Sequence, residues 1–486
     1  MKETTQERDL AAGNTRRQNA PRTQRRTSAN SALSRVREVA KKDRAVKFTA
    51  LLHHVTQDAL KEAFEQLNKK ASSGIDGVTW QQYASKLEEN LQHLHARLHR
   101  GAYRAKPSRR VHIPKADGRL RPLGVASLED KIVQRAVVEV MNAIYEEDFL
   151  GFSYGFRPKR SQHDALDALA TAIERKKVNW VLDADIRGYF DAIDHGRLMQ
   201  LVAHRIADKR VLRLIQKWLS AGVMEEGRWT ESVEGTPQGA TVSPLLANIY
   251  LHYVLDCWLH EWRKKRARGD VIAVRYADDF IVGFQYQSDA EAFLEELRER
   301  LRSFTLELHP EKTRLIEFGR YAAERRRSRK EGKPETFNFL GFTHICAKTR
   351  LGKFQLARRT MKQRLRAKLH EVKNELRQRQ HQPVSKQGRF LRDVVRGFFR
   401  YHSVPTNFRA LRSFRTEIER QWRDTLLTRS QKDRTSWARV KALSERWLPP
   451  AVIQHPWPTV RFERHHLRQE PSAVIPPARI CAGGGP

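Results

Sequence analysis

Apolar positions along this chain recur with two periods, and the places where the period changes divide it. From Phe48 to about Leu98 they return every three or four residues, the spacing of amphipathic helices, interrupted by the turn-forming cluster ASSGIDGVTW at 71–80. RRVHIPKADGRLRPLGV (109–125) switches to alternation around an Asp-Gly pair and predicts a β-hairpin. Helical spacing returns at 128–149 through Ile132, Val133, Ala136, Val137, Val140 and Ile144. WVLDAD (180–185) is a short apolar strand that ends in a carboxylate. VIAVRYADDFIVGF (271–284) is two β-rich apolar runs around Tyr-Ala-Asp-Asp, a second hairpin. After Lys353 the pattern predicts helix. One stripe runs through Met361, Leu365, Leu369, Val372 and Leu376, a second through Leu391, Val394, Val395, Phe398 and Phe399, and a third through Leu411, Phe414, Ile418, Trp422 and Leu426. Three such helices make a small bundle. The mixture predicts an α+β fold rather than a doubly wound sheet.

Composition adds a partner. The 486 residues exceed one ordinary domain, and they carry 92 Lys/Arg against 56 Asp/Glu, a net charge of +36. A pI near 10.5 points to a polyanion, nucleic acid before an anionic membrane surface. Residues 353–400 alone hold 15 Lys/Arg and 3 Asp/Glu, more than solubility asks of a helix face, and they are expected to track phosphates. Residues 1–45 hold 12 Lys/Arg, 5 Asp/Glu and almost nothing apolar, and are expected to form a flexible basic arm. No run of about 18 apolar residues is present, so no transmembrane helix is expected, and no membrane is expected among the partners. The opening MKETTQERDL lacks the apolar stretch of a secretory signal, and the three scattered cysteines fit a reducing compartment. The expected location is cytoplasmic.

Two carboxylate stations carry the candidate chemistry: Asp185 at the end of a strand, and Asp278 with Asp279 at a hairpin tip. Taken singly, each has a structural explanation in turn and capping chemistry. Brought together, they suit Mg²⁺, as a pair of ions, which takes carboxylate oxygens and leaves positions for water and phosphate. Two such ions serve phosphoryl transfer by activating a 3′-hydroxyl and stabilising the leaving pyrophosphate.

The ordered set of motifs is more specific than any one of them. YADD (276–279), ADIRGYFDAIDH (184–195) upstream and GTPQGATVSPLLANIYL (235–251) between resemble reverse transcriptases, and more closely the reverse transcriptase–maturases of bacterial group II introns. IPKADGRLRPLG (113–124), SYGFRPKRSQHDAL (153–166), LELHPEKTRLIEF (306–318), FNFLGF (337–342), YHSVPTNFRALRSFRTEIERQW (401–422) and KDRTSWARVKALSERWLPP (432–450) extend the resemblance in order.

The resemblance implies a right-hand polymerase: an N-terminal helical extension at 46–105, fingers and palm at 106–350, a helical thumb or maturase domain at 351–430, and a basic DNA-binding-like region at 431–486. It makes Asp185, Asp278 and Asp279 the catalytic, metal-binding acids, with the Ile186 carbonyl as a further metal ligand. Phe190 would lie beneath the incoming sugar and exclude a 2′-hydroxyl. Lys115 and Arg121 would grip the triphosphate, Gln238 would contact the nucleotide, and Lys312 would protonate the pyrophosphate. Arg358, Arg359 and Arg366 would bind nucleic acid. The implied partners are group II intron RNA, target DNA, where the protein would join the nucleoid, and dNTPs; the implied activity is RNA-directed DNA synthesis with assistance to splicing. Two alternatives stand beside it. One is another bacterial reverse transcriptase, of retron, diversity-generating or defence type. The other is a splicing factor with a vestigial polymerase core. The family's His-Asn-His nuclease is not expected here, since Cys481 is the lone cysteine past Ser430 and the adjacent His465 and His466 suit a basic surface better than one shared ion.

Overall fold

The computed structural model describes residues 32–114, 120–225, 228–230, 234–236, 239–429 and 435–466. Lys115, Gln238 and the Asp-Gly pair of the first hairpin lie outside these residues, as do the side chains of Arg121, His465 and His466.

The N-terminal helix α1 (Gln57–Glu65) packs both on α2 (Leu87–His99) and on α3 (Leu128–Asp148), a helix buried along most of its length. Both α1 and α3 start at a chemically marked residue: the Thr56 hydroxyl accepts from the Ala59 N–H, and the Ser127 hydroxyl from the Asp130 N–H, satisfying donors that a helix end leaves open. The expected hairpin forms as β1 (Ser108–Pro114) and β2 (Leu120–Val125), antiparallel from Arg109↔Val125 to Pro114↔Leu120. Two short strands, β4 (Val223–Glu225) and β5 (Arg228–Thr230), extend it into a sheet ordered β2-β1-β4-β5.

The central sheet is built from β3 (Trp180–Asp185), β6 (Val271–Tyr276), β7 (Asp279–Phe284) and β8 (Arg314–Glu317), all antiparallel to their neighbours in the order β6-β7-β3-β8. Both its faces are covered, which is why its strands read as apolar runs rather than as alternation. Leu182, Ala184, Phe280, Val282 and Phe284 join the main core on one side. Val181, Ile272, Val274, Ile281 and Ile316 pack on the other against α4 (Gln162–Arg175) and a three-stranded sheet. That sheet comprises β9 (Phe337–Phe339), β10 (Phe342–Lys348) and β11 (Phe354–Thr360), with β10 in the middle.

The three expected helices form as α8 (Lys362–Gln378), α9 (Val384–His402) and α10 (Phe408–Leu427), following α5 (Ser243–Leu251), α6 (Cys257–Lys265) and α7 (Gln287–Arg302) of the central region. Their stripes meet in a separate core in which Phe398 stacks on Phe414 at 3.8 Å. Trp422 donates from its indole to Gln387 at 3.0 Å, so the buried polar groups at the centre find each other. The last helix, α11 (Pro458–His466), returns to pack along α4.

Two expectations change. The basic arm does not extend to 45: residues 32–42 are helical, with Leu33 and Val36 against the core and Ala40 buried. That stripe is short but sufficient, because the buried Arg205 donates to the carbonyls of Ala40, Asp43 and Val46 and anchors the segment. The chain after Lys353 is a strand before it is a helix, so the β10–β11 hairpin crosses the expected boundary at 350. Among the described residues no helix is long and apolar enough to cross a membrane.

Candidate active site

β3 and β7 bring the two carboxylate stations together by register. Asp185 pairs with Asp279 directly across the strands, and Asp278 occupies the turn beside them. Like charges directly opposite on neighbouring strands destabilise a sheet unless something neutralises them. Here burial first, then the charges of Asp278, Asp185 and Asp183, push the Asp279 carboxyl up to about 7. The residue keeps an exposed flank, so water screens part of this crowding.

Asp183 joins them without having been singled out by any motif. It stands two residues before Asp185 on the same face of β3, where its carboxyl is raised to about 6 by burial against the opposing pull of Arg314, 3.6 Å away. Strand alternation is the signal that points to it. Lys312 reaches the site as well, its ammonium paired with Asp185. In the sequence Lys312 lies near the late palm-like block; the structure sets its charge on the first carboxylate station.

Ile186 is buried just past the strand. The Arg187 N–H donates to the Glu307 carbonyl and the His309 N–H to the Asp185 carbonyl, both at 2.8 Å. Those two bonds flank Ile186 opposite Leu308, so its own carbonyl turns away from that strand. Phe190 follows in a single 3-10 turn, half-buried, edge-on to Tyr189 and Phe156. Its carbonyl accepts from the Thr236 N–H at 2.8 Å, and Gly239, at φ +109°, lies against the Gly124 carbonyl of β2. The GTPQG segment is thus anchored at one end on Phe190 and at the other on the hairpin that carries Lys115 and Arg121.

The turn itself is tight. Ala277 and Asp278 alone join β6 to β7, and Ala277 holds φ +58°. A left-handed alanine costs about 1–2 kcal/mol, so it persists only where its surroundings fix it. Gly155, from SYGFRPKR, backs the turn so closely that a Cβ there would lie 2.3 Å from the Ala277 nitrogen. Only glycine fits, and this gives the block a structural purpose.

The nucleic-acid candidates separate. Arg359, on β11, and Arg366, on α8, are exposed. Arg358 is 1% exposed, and its guanidinium pairs with the buried Asp167 of α4 at 2.6 Å. Strand alternation turns Arg358 inward and Arg359 outward; a helical expectation could not distinguish them. Exposed cations also line α9, at Lys386, Arg389, Arg396 and Arg400.

Among the described residues no group of three or more His, Cys, Asp or Glu side chains is arranged to hold a metal ion by itself. An open cluster of oxygen donors with excess negative charge still fits Mg²⁺, which binds through one or two carboxylates and keeps waters and substrate phosphates.

Residues 113–344 match the reverse transcriptase (RNA-dependent DNA polymerase) family. Protein YkfC of Escherichia coli (strain K12) is 37% identical over 308 residues, 56% of this chain and 81% of that protein. The group II intron-encoded protein LtrA of Lactococcus lactis subsp. cremoris is 32% identical over 288 residues, 57% of this chain and 48% of LtrA. A putative COX1/OXI3 intron 1 protein of Saccharomyces cerevisiae (strain ATCC 204508 / S288c) is 25% identical over 423 residues, 73% of this chain and 50% of that protein. The chain therefore spans about half the length of the latter two.

Proposed function

The chain belongs to the reverse transcriptases and is related to the group II intron-encoded proteins among them, and on that premise we propose that it copies RNA into DNA from dNTPs and assists the splicing and mobility of a group II intron. The observation that carries the polymerase reading is the direct apposition of Asp185 and Asp279 across β3 and β7, with Asp278 in the turn beside them. Asp185, Asp278, Asp279 and the Ile186 carbonyl would hold Mg²⁺, which when bound supplies a Lewis acid for phosphoryl transfer. Lys312, paired with Asp185, supplies cationic charge beside the first carboxylate station and in this reading would give a proton to departing pyrophosphate. Phe190 sets a ring edge beside the same strand end, where a nucleotide sugar would rest.

In this reading the β1–β2 hairpin belongs to the fingers, the central sheet to the palm, and α8–α10 to the thumb. Lys115, Arg121 and Gln238 contact the nucleotide from the hairpin and the GTPQG segment. Arg359, Arg366 and the cations along α9 face intron RNA and target DNA. Arg358 leaves this set, because a cation paired with a buried aspartate holds the fold instead.

Primer extension on an RNA template with dNTPs and Mg²⁺ tests the reading. Asp278→Ala is expected to lower kcat by roughly a thousandfold or more, on the order of 4 kcal/mol of barrier. Extension at the parent rate by this variant would remove the assignment.

A further inference from the structure

Beneath the Ala277–Asp278 turn lies a polar network that joins three of the sequence motifs. Arg275, two residues before the turn on β6, is 1% exposed. Its guanidinium has five N–H donors, and each has a partner. Nε donates to Asp256 Oδ1 at 2.7 Å, and Nη2 to Asp256 Oδ2 at 2.6 Å and Ser153 Oγ at 2.7 Å. Nη1 donates to Asn248 Oδ1 at 3.0 Å and to the Ala277 carbonyl at 2.9 Å. Asn248 then donates to the Gly155 carbonyl at 2.7 Å, which closes the network on the glycine that backs the turn. Asp256, Asn248 and Ser153 are all buried. The Arg275 main chain is held too, its N–H donating to the Phe152 carbonyl and its carbonyl accepting from Tyr154, each at 2.9 Å.

We propose that Arg275, clamped by Asp256, is a positioning residue for polymerisation: it fixes the Ala277–Asp278 turn and so sets the Asp278 and Asp279 carboxylates against Asp185. Three observations carry this. The bond to the Ala277 carbonyl falls on the one residue of the turn in a left-handed conformation. A buried ion pair is a weak stabiliser compared with apolar packing, so its place under this turn speaks for geometry rather than for stability. Asp256 ends a π-helical stretch, His252–Asp256, between α5 and α6, and single π turns concentrate at functional sites. Lysine cannot replace the fork, because its ammonium is a point charge with three donors.

The inference rests on the polymerase reading, and the parent protein separates the two. If the full-length parent does not extend primers on RNA, that reading fails on its own. If it does, Arg275→Lys is compared with it for primer extension, melting temperature and Mn²⁺ binding followed by the ion's EPR signal. A misplacement of order 1 Å costs up to about a hundredfold in rate. Arg275→Lys is therefore expected to lose about tenfold or more in kcat, to need several times more Mg²⁺ for half-maximal rate, and to bind Mn²⁺ correspondingly less tightly. KM for dNTP and affinity for primer–template stay within about threefold, because those contacts lie elsewhere. A folded variant with the parent's kcat, Mg²⁺ dependence and Mn²⁺ affinity overturns the proposal, even if it melts lower. Should Arg275→Lys not fold, Ser153→Ala decides, since it removes one acceptor and leaves the Arg275–Asp256 pair. A kcat and Mn²⁺ affinity below the parent's support the proposal, and unchanged values overturn it.

Discussion

At neutral pH, Asp185 and Asp279 cannot both be charged across a strand pair without cost, and that cost has a direction in pH. A carboxyl raised to about 7 in the folded chain keeps a proton that the unfolded chain releases near its ordinary value of about 3.9. Stability thus falls as pH rises from about 4 and levels off above about 7, once the group is ionised in both states. Asp279→Asn removes the penalty. Without divalent ions it should melt above the parent at pH 8, with the gap closing towards pH 4; a gap that is the same at both pH values contradicts the charge crowding. Added Mg²⁺ should raise the melting temperature of the parent at pH 8 and leave that of Asp279→Asn less changed. Phe190→Ala tests the neighbouring position. Competition between dNTP and rNTP should show the preference for dNTP fall by about tenfold or more, on the order of 1.4 kcal/mol, with Mn²⁺ affinity intact. An unchanged ratio makes Phe190 a packing residue for Phe156 and Tyr189. The three candidate aspartates were legible because each ends or caps an apolar run. Asp183 was less so, although alternation marks it, because it sits inside such a run rather than at its end. Arg275 left no local mark, for its side-chain partners lie 19, 27 and 122 positions away.

Among the elements, the short strand β11 teaches the most. Its register places Arg358 opposite His344 and Arg359 opposite Thr343, one cation inside and the next outside. Arg358→Ala leaves Asp167 buried without its closest partner and is expected to cost about 3–5 kcal/mol of stability. Charge reversal at Arg359 and Arg366 should leave the melting temperature almost unchanged. It should weaken RNA binding and flatten its salt dependence by roughly 0.7–0.9 logarithmic units for each phosphate that is no longer neutralised. Parental affinity and slope in that double variant would make these cations solvent-facing only. The helices α3 and α8–α10 were legible because each buries one apolar stripe within a local window, and the two hairpins because a short turn sequence separates two β-prone runs. β11 was not. Its sequence, FQLARRT, is short and carries two arginines, and its strand character comes from β10 alongside it rather than from its own pattern.

For the whole molecule, the charge and the carboxylates occupy different places. The acids converge at the ends of β3 and β7, whereas the exposed cations of α8 and α9 belong to a helical unit with its own core. Splicing assistance and polymerisation should therefore separate. An Asp278→Ala/Asp279→Ala protein is expected to bind intron RNA with the parent's affinity and promote splicing while extending no primer. Loss of both activities together, in a protein of normal melting temperature, would show that the acids also organise the RNA surface.

The Asp167 side chain has a further consequence. One of its oxygens pairs with Arg358 at 2.6 Å and the other with Arg461 of α11 at 3.3 Å. As a polymer, the chain is here looped back on itself like a buckled belt, with nearly three hundred residues inside the ring. Bringing such distant points together in a random coil costs on the order of 5 kcal/mol of entropy. The cost vanishes only when the central sheet, β11 and α8–α10 have already brought the ends within reach. The buckle is therefore expected to close last and to open first. Amide exchange in α11 should outpace that in α4, and Asp167→Asn should release α11 before the central sheet loosens. The order of assembly is thereby written into a single carboxylate that cannot find its second partner until everything between has folded.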